Sequence, residues 1–368
     1  MRVIHCADLH LDSPLRSFLP SEKAKSRKAE ILNTFVRILD FAKKEGVAAV
    51  LLAGDLFDGK RISSGSKKTI LQSLKDHPEV TVYYIHGNHD FEAFADSFED
   101  IPDNLKLFSD RWDSYILNEN EDCVIKVYGL ELTSENATDA ARLLQTDESN
   151  INLVMLHGQE AGSVSKEKCE NINIKEWRNK GIDYMALGHV HSYKSEALDG
   201  RGVYCYCGCP DGRGFDECGK KGFVLLDIDE NKKEIRSKFV PFSSRELYSY
   251  SVDVSGLENT LEALQRIEAL LEEEDLSERA LVKIKLVGEV SEEYEVDCTY
   301  LCNVLSERFF FFTVEDRTRI RFEMEKCALD ATLKGEFLRT LQEHTEITDE
   351  ERDAIMRIGL RCFAGEKL

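Results

Sequence analysis

Short apolar runs alternate with longer amphipathic stretches along the first 245 residues, and this alternation predicts an α/β domain. Between the first two runs, residues 22–45 carry apolar side chains at helical spacing and are followed by Gly46. Because glycine commonly ends a helix at this position, we expect a crossover helix there. The runs that we expect to form buried strands are residues 3–7, 48–53, 80–86, 153–157 and 184–188.

The pattern changes after residue 202, where glycine-rich turns become frequent. Two alternating segments, 223–228 and 235–240, predict an antiparallel hairpin around Asn231. We expect this hairpin to complete a sheet of the first domain.

The chain beyond Pro241 predicts a smaller α+β unit with an acidic helix at residues 257–274. Two amphipathic helices follow at 332–344 and 348–363, and the second starts with a capping box formed by Thr348 and Glu351. The segments that we expect to be strands of this unit are 247–254, 281–287 and 309–314.

The composition is that of a globular chain: 42% of the 368 residues are hydrophobic and 32% are charged, with 6 Pro and 22 Gly. It excludes collagen-like and largely disordered proteins. The longest uncharged apolar stretch, 47–54, is far shorter than the ~20 residues that a membrane helix needs. The first residues are too polar for a signal peptide. We therefore expect a cytoplasmic protein that does not bind membranes.

A net charge of −21 argues against nucleic-acid binding, because affinity for phosphates usually comes from clustered Lys and Arg. The net negative charge is unevenly distributed, since residues 246–368 contain 29 acidic and 15 basic residues. The first 245 residues therefore carry only a third of the net charge.

Eleven cysteines, an odd number spread over a long chain, indicate free thiols in a reducing compartment. Four of them, Cys205, Cys207, Cys209 and Cys218, leave two interpretations open, a zinc site or small apolar residues. Alternation along a strand and the lack of a Cys-x-x-Cys pair favour apolar residues.

Five motifs at or just after the predicted strand ends contain five of the nine histidines. Asp8 with His10, and His189 with His191, are spaced so that both side chains point to one face wherever the strand continues. The motifs are Asp-Leu-His at 8–10, Gly-Asp-Leu-Phe-Asp at 54–58, Gly-Asn-His-Asp at 87–90, His-Gly at 157–158 and Gly-His-Val-His at 188–191.

These motifs offer seven oxygen and nitrogen ligands, more than one ion needs, and the mixture suits two Mn, Fe or Zn ions about 3.5–4 Å apart. One carboxylate must then bridge, and we expect Asp55 to do so. His89 is the expected proton donor to the leaving oxygen, and Asp90 either orients its ring or holds a turn. The expected metal ligands are Asp8, His10, Asp55, Asn88, His157, His189 and His191.

The order of these motifs resembles that of the calcineurin-like metallophosphoesterases over roughly residues 1–240. Residues 7–12 and 54–59, together with 212–217, more closely resemble the SbcD-like DNA repair exonucleases, including the YhaO branch. The implied fold is α/β, with two stacked mixed β-sheets flanked by helices in four αββα layers. A small C-terminal α+β cap domain and a helical tail would follow.

The same resemblance implies the division of the chain and of the ligands. Residues 1–245 would be the dinuclear nuclease domain, 246–328 the capping domain and 329–368 a helical segment able to dock a partner. Some relatives have a second histidine where this chain has Asp58. One ion would take Asp8, His10, Asp55 and His191, and the other Asp55, Asn88, His157 and His189.

The function implied is metal-dependent hydrolysis of DNA by a repair exonuclease subunit, with a hydroxide activated by two metals and His89 as proton donor. Implied partners are DNA, an SMC-like ABC ATPase and a second copy of the chain. Two alternatives remain: a phosphoesterase for small nucleotides or phosphoproteins, and a non-catalytic subunit that binds DNA ends for an ATPase. Basic residues expected to line a DNA groove are Arg16, Lys23, Lys25, Arg27, Lys28, Lys60, Arg61, Lys67, Lys68 and Arg213.

Overall fold

The computed structural model describes residues 1–15, 18–59, 62–90, 101–121, 123–162, 169–291, 294, 296–320 and 331–363. The chain forms two compact units, Met1–Leu247 and Tyr248–Leu368. No helix in these described ranges combines the length and the apolar character needed to cross a bilayer.

Two six-stranded mixed sheets form most of the first unit. The strands of the first sheet are β1 (Arg2–Cys6), β2 (Ala49–Ala53), β3 (Thr81–Ile85), β4 (Leu105–Leu107), β13 (Gly222–Asp229) and β14 (Glu234–Pro241). Their spatial order is β14-β13-β1-β2-β3-β4. Strands β1 to β4 pair in parallel, and β13 pairs antiparallel with both β1 and β14. The predicted hairpin is therefore confirmed.

The second sheet has the order β11-β12-β10-β7-β6-β5. Its strands are β5 (Asp113–Glu119), β6 (Val124–Gly129), β7 (Ile151–His157), β10 (Tyr184–Gly188), β11 (Lys194–Ala197) and β12 (Val203–Tyr206). The four central strands are parallel, and the two edge strands pair antiparallel. Two short strands, β8 (Gln159–Glu160) and β9 (Asn171–Ile172), pair separately.

The two sheets share one hydrophobic core. Leu153 and Met155 of β7 face this core together with Leu51 of β2, whereas Val154 and Leu156 belong to a second cluster on the opposite face of β7. Because side chains alternate along a strand, burial on both faces requires apolar residues at every position. This is why the central strands are continuous apolar runs in the sequence, and the predicted stacking of two sheets is confirmed.

Helices flank the sheets of the first unit. They are α1 (Ser21–Glu45), α2 (Ser64–Asp76), α3 (Ala140–Leu143) and a 3₁₀ turn at Ile174–Trp177. The predicted crossover helix, α1, is confirmed. It ends at Gly46, whose φ of 63° lies in the left-handed region and whose N–H bonds to the carbonyls of Ala42 and Lys43. Such a C-terminal cap favours glycine because the left-handed conformation strains other residues.

The second unit has a three-stranded sheet of the order β15-β16-β18. The strands of this sheet are β15 (Leu247–Asp253), β16 (Leu281–Val287) and β18 (Phe311–Asp316). Two short strands, β17 (Glu289–Val290) and β19 (Arg319–Ile320), pair separately. The helices of the second unit are α4 (Thr260–Glu273), α5 (Cys298–Leu305), a 3₁₀ turn at Ser306–Arg308, α6 (Leu333–Glu343) and α7 (Asp349–Phe363). The α+β character predicted from the sequence is present.

Two boundaries in this unit differ from prediction for physical reasons. Helix α4 begins at Thr260 because the side chain of Asn259 accepts the N–H groups of the first turn. Strand β18 is shifted by two residues, since it pairs in parallel with β16 from Phe311 onward. The capping box is confirmed: Thr348 Oγ1 accepts the N–H of Glu351, and the Glu351 carboxylate accepts the N–H of Thr348.

Candidate metal centre

The seven candidate ligands lie at the carboxyl ends of parallel strands in the two sheets. Asp8 follows β1, Asp55 follows β2 and Asn88 follows β3 in the first sheet. His157 is the last residue of β7, and His189 directly follows β10 in the second sheet. His10 and His191 lie two residues after Asp8 and His189. Because parallel neighbours end at one edge of a sheet, the fold brings all these loops together.

The local geometry differs from the extended strands expected for the two pairs. Strand β1 ends at Cys6, and Asp8 and His10 have φ values of 55° and 45°. His189 likewise has a φ of 94°. The expectation that continuing strands orient each pair is therefore wrong, because left-handed turns orient them instead. Such turns cost non-glycine residues on the order of 1–3 kcal/mol each and are typical of functional sites.

Two glycines, which lack a Cβ atom, let the loops approach closely. A Cβ atom on Gly87 would overlap Oδ1 of Asp55, and a Cβ atom on Gly188 would overlap the carbonyl oxygen of Ala53. Backbone bonds then tie the first two loops: Asp8 N donates to Gly54 O at 3.0 Å. His189 N donates to Oδ1 of Asp8 at 2.9 Å, which links the second sheet to the first.

One group of ligand atoms surrounds Asp8, His10 and His191, whose ligand atoms all lie within 4.8 Å of one another. The Nε2 atoms of His10 and His191 face each other at 3.1 Å. Nδ1 of His191 lies 2.7 Å from Oε1 of Glu217, and Nδ1 of His10 lies 3.2 Å from Oδ1 of Asp58. The two nearby carboxylates favour protons on the Nδ1 atoms, which would leave the two Nε2 lone pairs facing one space.

A second group surrounds Asn88, His157 and His189. Oδ1 of Asn88 lies 3.0 Å from Nε2 of His157 and 3.2 Å from Nδ1 of His189. Nδ1 of His157 faces the carbonyl oxygen of Ala53 at 2.9 Å, so its proton belongs there and Nε2 points inward.

Asp55 lies between the two groups. Its Oδ2 is 3.3 Å from Nε2 of His157 and 3.6 Å from Nε2 of His10. The residue is fully buried, and this oxygen accepts no hydrogen bond. A buried carboxylate oxygen facing imidazole lone pairs is destabilised unless a cation or a proton lies among them. The residues present therefore fit a pair of divalent metal ions with Asp55 shared.

The electrostatics of the metal-free cluster agree with that fit. Burial alone would lower the pKa of His157, but the carboxylates of Asp55 and Asp8 raise it to about 10. Burial would raise the pKa of Asp55, yet His157 and His10 lower it. The raised pKa keeps a proton on His157 at neutral pH. A cation that His157 binds must displace that proton.

Asp90 holds the loops rather than the ring of His89. Its Oδ1 accepts the N–H of Gly87 at 2.8 Å, and its Oδ2 accepts the N–H of Leu56 at 2.7 Å and the hydroxyl of Tyr84. Of the two interpretations of Asp90, the structure supports the turn.

The carboxylate beside His89 is that of Asp58, whose Oδ1 lies 3.5 Å from Nδ1 of His89. The His89 ring packs edge-on against His10, with its side chain 26% exposed. Asp58 also contacts Arg213, with Nη1 to Oδ1 at 3.4 Å. Burial would raise the pKa of Asp58, but His10 and Arg213 lower it to about 2. Asp58 is thus an anion that links His10, His89 and Arg213.

Comparison with known proteins agrees with this geometry. Residues 1–193 match the family model described as calcineurin-like phosphoesterase. The chain belongs to this family. Its members use two divalent metal ions to hydrolyse phosphoesters, and residues 1–193 form a phosphoester-hydrolysing domain. The family predicted from the order of the motifs is confirmed.

Curated relatives of this phosphoesterase include nucleases at low identity. It is 28% identical over 273 residues to the uncharacterized metallophosphoesterase YhaO of Bacillus subtilis, covering 72% of this chain and 66% of YhaO. It is 25% identical to the DNA double-strand break repair protein Mre11 of Sulfolobus acidocaldarius, covering 82% of this chain and 78% of that Mre11. It is 25% identical to the D subunit of the nuclease SbcCD of Escherichia coli K12, covering 63% of this chain and 66% of the D subunit. The chain thus spans about two thirds of the length of YhaO and of the SbcCD relative.

The basic groove expected on the phosphoesterase is only partly supported. Arg27 is buried and bonded to the carboxylate of Asp211 and the carbonyl of Gly212, so its assignment to the groove is wrong. Its charge compensates that of the buried Asp211, which would otherwise lack a partner of opposite charge among the described residues. Arg213 does lie beside the metal ligands. Arg16, Lys60 and Arg61 lie outside the described residues.

Three of the four clustered cysteines, Cys205, Cys207 and Cys209, are buried as the apolar interpretation expects, whereas Cys218 is exposed. Cys205 and Cys207 belong to the core between the sheets, and burial raises the pKa of Cys205 to about 11. Throughout the described ranges, the groups of three or more ligand-type residues include none of the four clustered cysteines. Every cysteine in those ranges is a free thiol.

Sequence reasoning missed Glu217, which orients a metal ligand of the phosphoesterase. Glu217 is buried, accepts the N–H of Arg213 at 2.6 Å and contacts Arg213 Nη2 at 3.0 Å. Burial would raise its pKa, but His191 and Arg213 lower it. Its place in the segment 212–217, which resembles the SbcD-like proteins, was the available signal.

Replacing Glu217 with glutamine should lower affinity for divalent metal by roughly 10–100-fold, because Nδ1 of His191 loses its charged partner. Isothermal titration of the metal-free protein with Mn²⁺ measures this. The neighbouring exposed residue provides the control, since Asp216→Asn should leave affinity unchanged. Equal affinities in the wild type and Glu217→Gln would contradict the assigned role.

Proposed function

We propose that this phosphoesterase hydrolyses the phosphodiester bonds of DNA, as a metal-dependent exonuclease in DNA repair. The observation that carries the proposal is the gathering of the other six ligand side chains into two groups, with the buried Oδ2 of Asp55 between His10 of one group and His157 of the other. The substrate class is supported by the relatives named as a break-repair protein and a nuclease subunit.

Two divalent ions, with manganese as the first candidate, would occupy the two ligand groups and share Asp55. The first would be held by Asp8, His10, Asp55 and His191, and the second by Asp55, Asn88, His157 and His189. When bound, such ions supply positive charge for the phosphate and make a water molecule more acidic.

The residues of the chain position the substrate and provide its proton. His89 is the part-exposed ring at the cluster, and its backbone N–H donates to Oδ1 of Asp55 at 3.0 Å, which fixes its distance from the ligands. Oδ1 of Asp58, 3.5 Å from Nδ1 of His89, would attract the proton of that nitrogen and leave Nε2 to serve the leaving oxygen. The proton passes from Nε2 to the 3′ or 5′ oxygen as the P–O bond breaks.

The overall negative charge is compatible with this substrate, because catalysis depends on the local field. Asp58 and Glu217 already pair with Arg213, so the positive field at the phosphate would come mainly from the two cations. The acidic excess lies mainly in residues 246–368. We expect the chain alone to bind DNA weakly, and we expect a partner protein to supply the remaining affinity for DNA.

We propose an SMC-like ABC ATPase as that partner, and pairing of two copies of the chain. The name of the SbcCD relative, which describes it as one subunit of a nuclease, supports a partner protein. In this proposal residues 246–328 form a capping domain, and residues 329–368 dock the partner.

The test is nucleotide release from end-labelled linear duplex DNA by the purified chain. We expect release that requires Mn²⁺, stops with EDTA and falls at least about 100-fold in a His89→Gln preparation purified in the same way. Small nucleotides and phosphopeptides are assayed in parallel. Hydrolysis of those compounds without hydrolysis of any DNA would overturn the substrate and favour the alternative. DNA-end binding without hydrolysis of any phosphoester would favour a non-catalytic subunit.

A further inference from the structure

Cys169 lies next to the second ligand group and belongs to neither of the two proposed ligand sets. It precedes β9 on the segment that follows β8, and it is partly buried. Its sulfur and the ligand nitrogens of His157 and His189 all lie within 4.8 Å of one another. Cys169 also lines a cavity of about 200 Å³ with Asn88 and His157.

These separations suit ligands of one ion. A nitrogen at ~2.0 Å and a sulfur at ~2.3 Å from a metal are at most about 4.3 Å apart. The three atoms all lie within 4.8 Å of one another, and small side-chain rotations would bring them to the spacing of a Cys-His-His set around one cation.

A second observation points to a ligand at this place. Oδ2 of Asp55 is fully buried, accepts no hydrogen bond and lies 3.3 Å from Nε2 of His157, the nitrogen of that ring that points inward. A carboxylate oxygen aimed at that nitrogen makes the space between them attractive to a cation.

The simpler interpretation is that Cys169 is a small apolar residue. Cys205 and Cys207 fit that description, because they are fully buried in the core between the sheets. Cys169 differs from them. Its cavity is lined by Gly87 and Leu132 and by six polar residues, and Cys169 is absent from the hydrophobic core clusters of the described residues. The polar residues are His86, Asn88, Glu131, Thr133, His157 and Glu170.

We propose that Cys169 is a further ligand of the ion that His157 and His189 hold. Its thiol releases a proton to solvent as the sulfur–metal bond forms. Since thiolate is a soft ligand, it gives this position a preference for zinc or cobalt(II) over manganese, whereas the first position keeps only oxygen and nitrogen donors. This inference rests on the proposed metal centre and adds the selectivity of one of its two positions.

The test is titration of the metal-free, full-length protein with Co²⁺, followed by absorption. We expect two ions per chain and a thiolate-to-cobalt charge-transfer band. The band should disappear in Cys169→Ser and persist in Cys218→Ser, which removes an exposed thiol of the same unit. In competition experiments, Cys169→Ser should lower the preference for Zn²⁺ over Mn²⁺ by at least about tenfold.

The outcomes separate this inference from the metal centre itself. Two bound cobalt ions without a thiolate band would overturn the role of Cys169 and leave the centre intact. Failure of the wild type to bind cobalt at all would overturn both.

A second measurement does not depend on a variant. Alkylation of Cys169, followed by mass spectrometry, should slow at least about tenfold when two zinc ions are bound. Equal rates with and without zinc would count against a sulfur–metal bond.

Discussion

Replacing Asp55 with asparagine should reduce the bound divalent metal from two ions per chain to fewer than one and remove phosphodiesterase activity. Its Oδ2 is the buried atom within 3.3 Å of His157 and 3.6 Å of His10, so both ligand groups lose their shared charge together. Losing several kcal/mol of transition-state stabilisation from the metals corresponds to at least about a 10³-fold lower rate.

Metal analysis of the purified variant and hydrolysis of bis-p-nitrophenyl phosphate provide the two readouts. The exposed Asp110 offers a matched control, since Asp110→Asn removes the same charge at a residue outside both ligand groups and should change neither readout. Circular dichroism confirms that both variants are folded. An Asp55→Asn protein that binds two ions and retains activity would show that Asp55 does not bridge.

The second large effect concerns His89. His89→Gln should lower kcat on DNA by about 10²–10⁴-fold, because the leaving alkoxide then departs without its proton. The loss on bis-p-nitrophenyl phosphate should be less than about tenfold, since p-nitrophenolate is a stable leaving group. The bound metal should stay at two ions per chain, because His89 belongs to neither proposed ligand set.

The comparison of two substrates separates proton donation from a structural role. Damage to the fold or to the metal centre would slow both reactions equally. His344→Gln, at an exposed histidine just after α6, is the matched control and should leave both rates unchanged. An equal loss on the two substrates, or loss of metal from His89→Gln, would contradict the role of His89 as proton donor.

Much of the first unit could be predicted from the sequence because its central strands are buried on both faces. Residues such as Leu153 and Val154 pack into different clusters, so the strand β7 is apolar throughout. The edge strands β4, β5 and β11 are only partly buried and were not predicted. The central strands β6 and β12 were not predicted either. The order of the strands was equally inaccessible, since it depends on contacts distant in sequence.

In the metal centre, too, the residues next to recognisable strands were predicted and those on irregular loops were not. Its seven expected ligands follow strands that could be recognised, whereas Glu217 and Cys169 reach the centre through loops that have no periodic pattern. Arg27 was misassigned because sequence alone does not show a buried partner such as Asp211. The left-handed backbone at His10 is set by hydrogen bonds between loops, including His10 N to Asp55 O at 2.9 Å.

The most direct test of the metal centre is the anomalous scattering from crystals of the full chain grown with Mn²⁺. The account predicts two peaks about 3.5–4 Å apart, with a carboxylate oxygen of Asp55 in bonding distance of both. One peak alone, or two peaks of which Asp55 reaches only one, would contradict it.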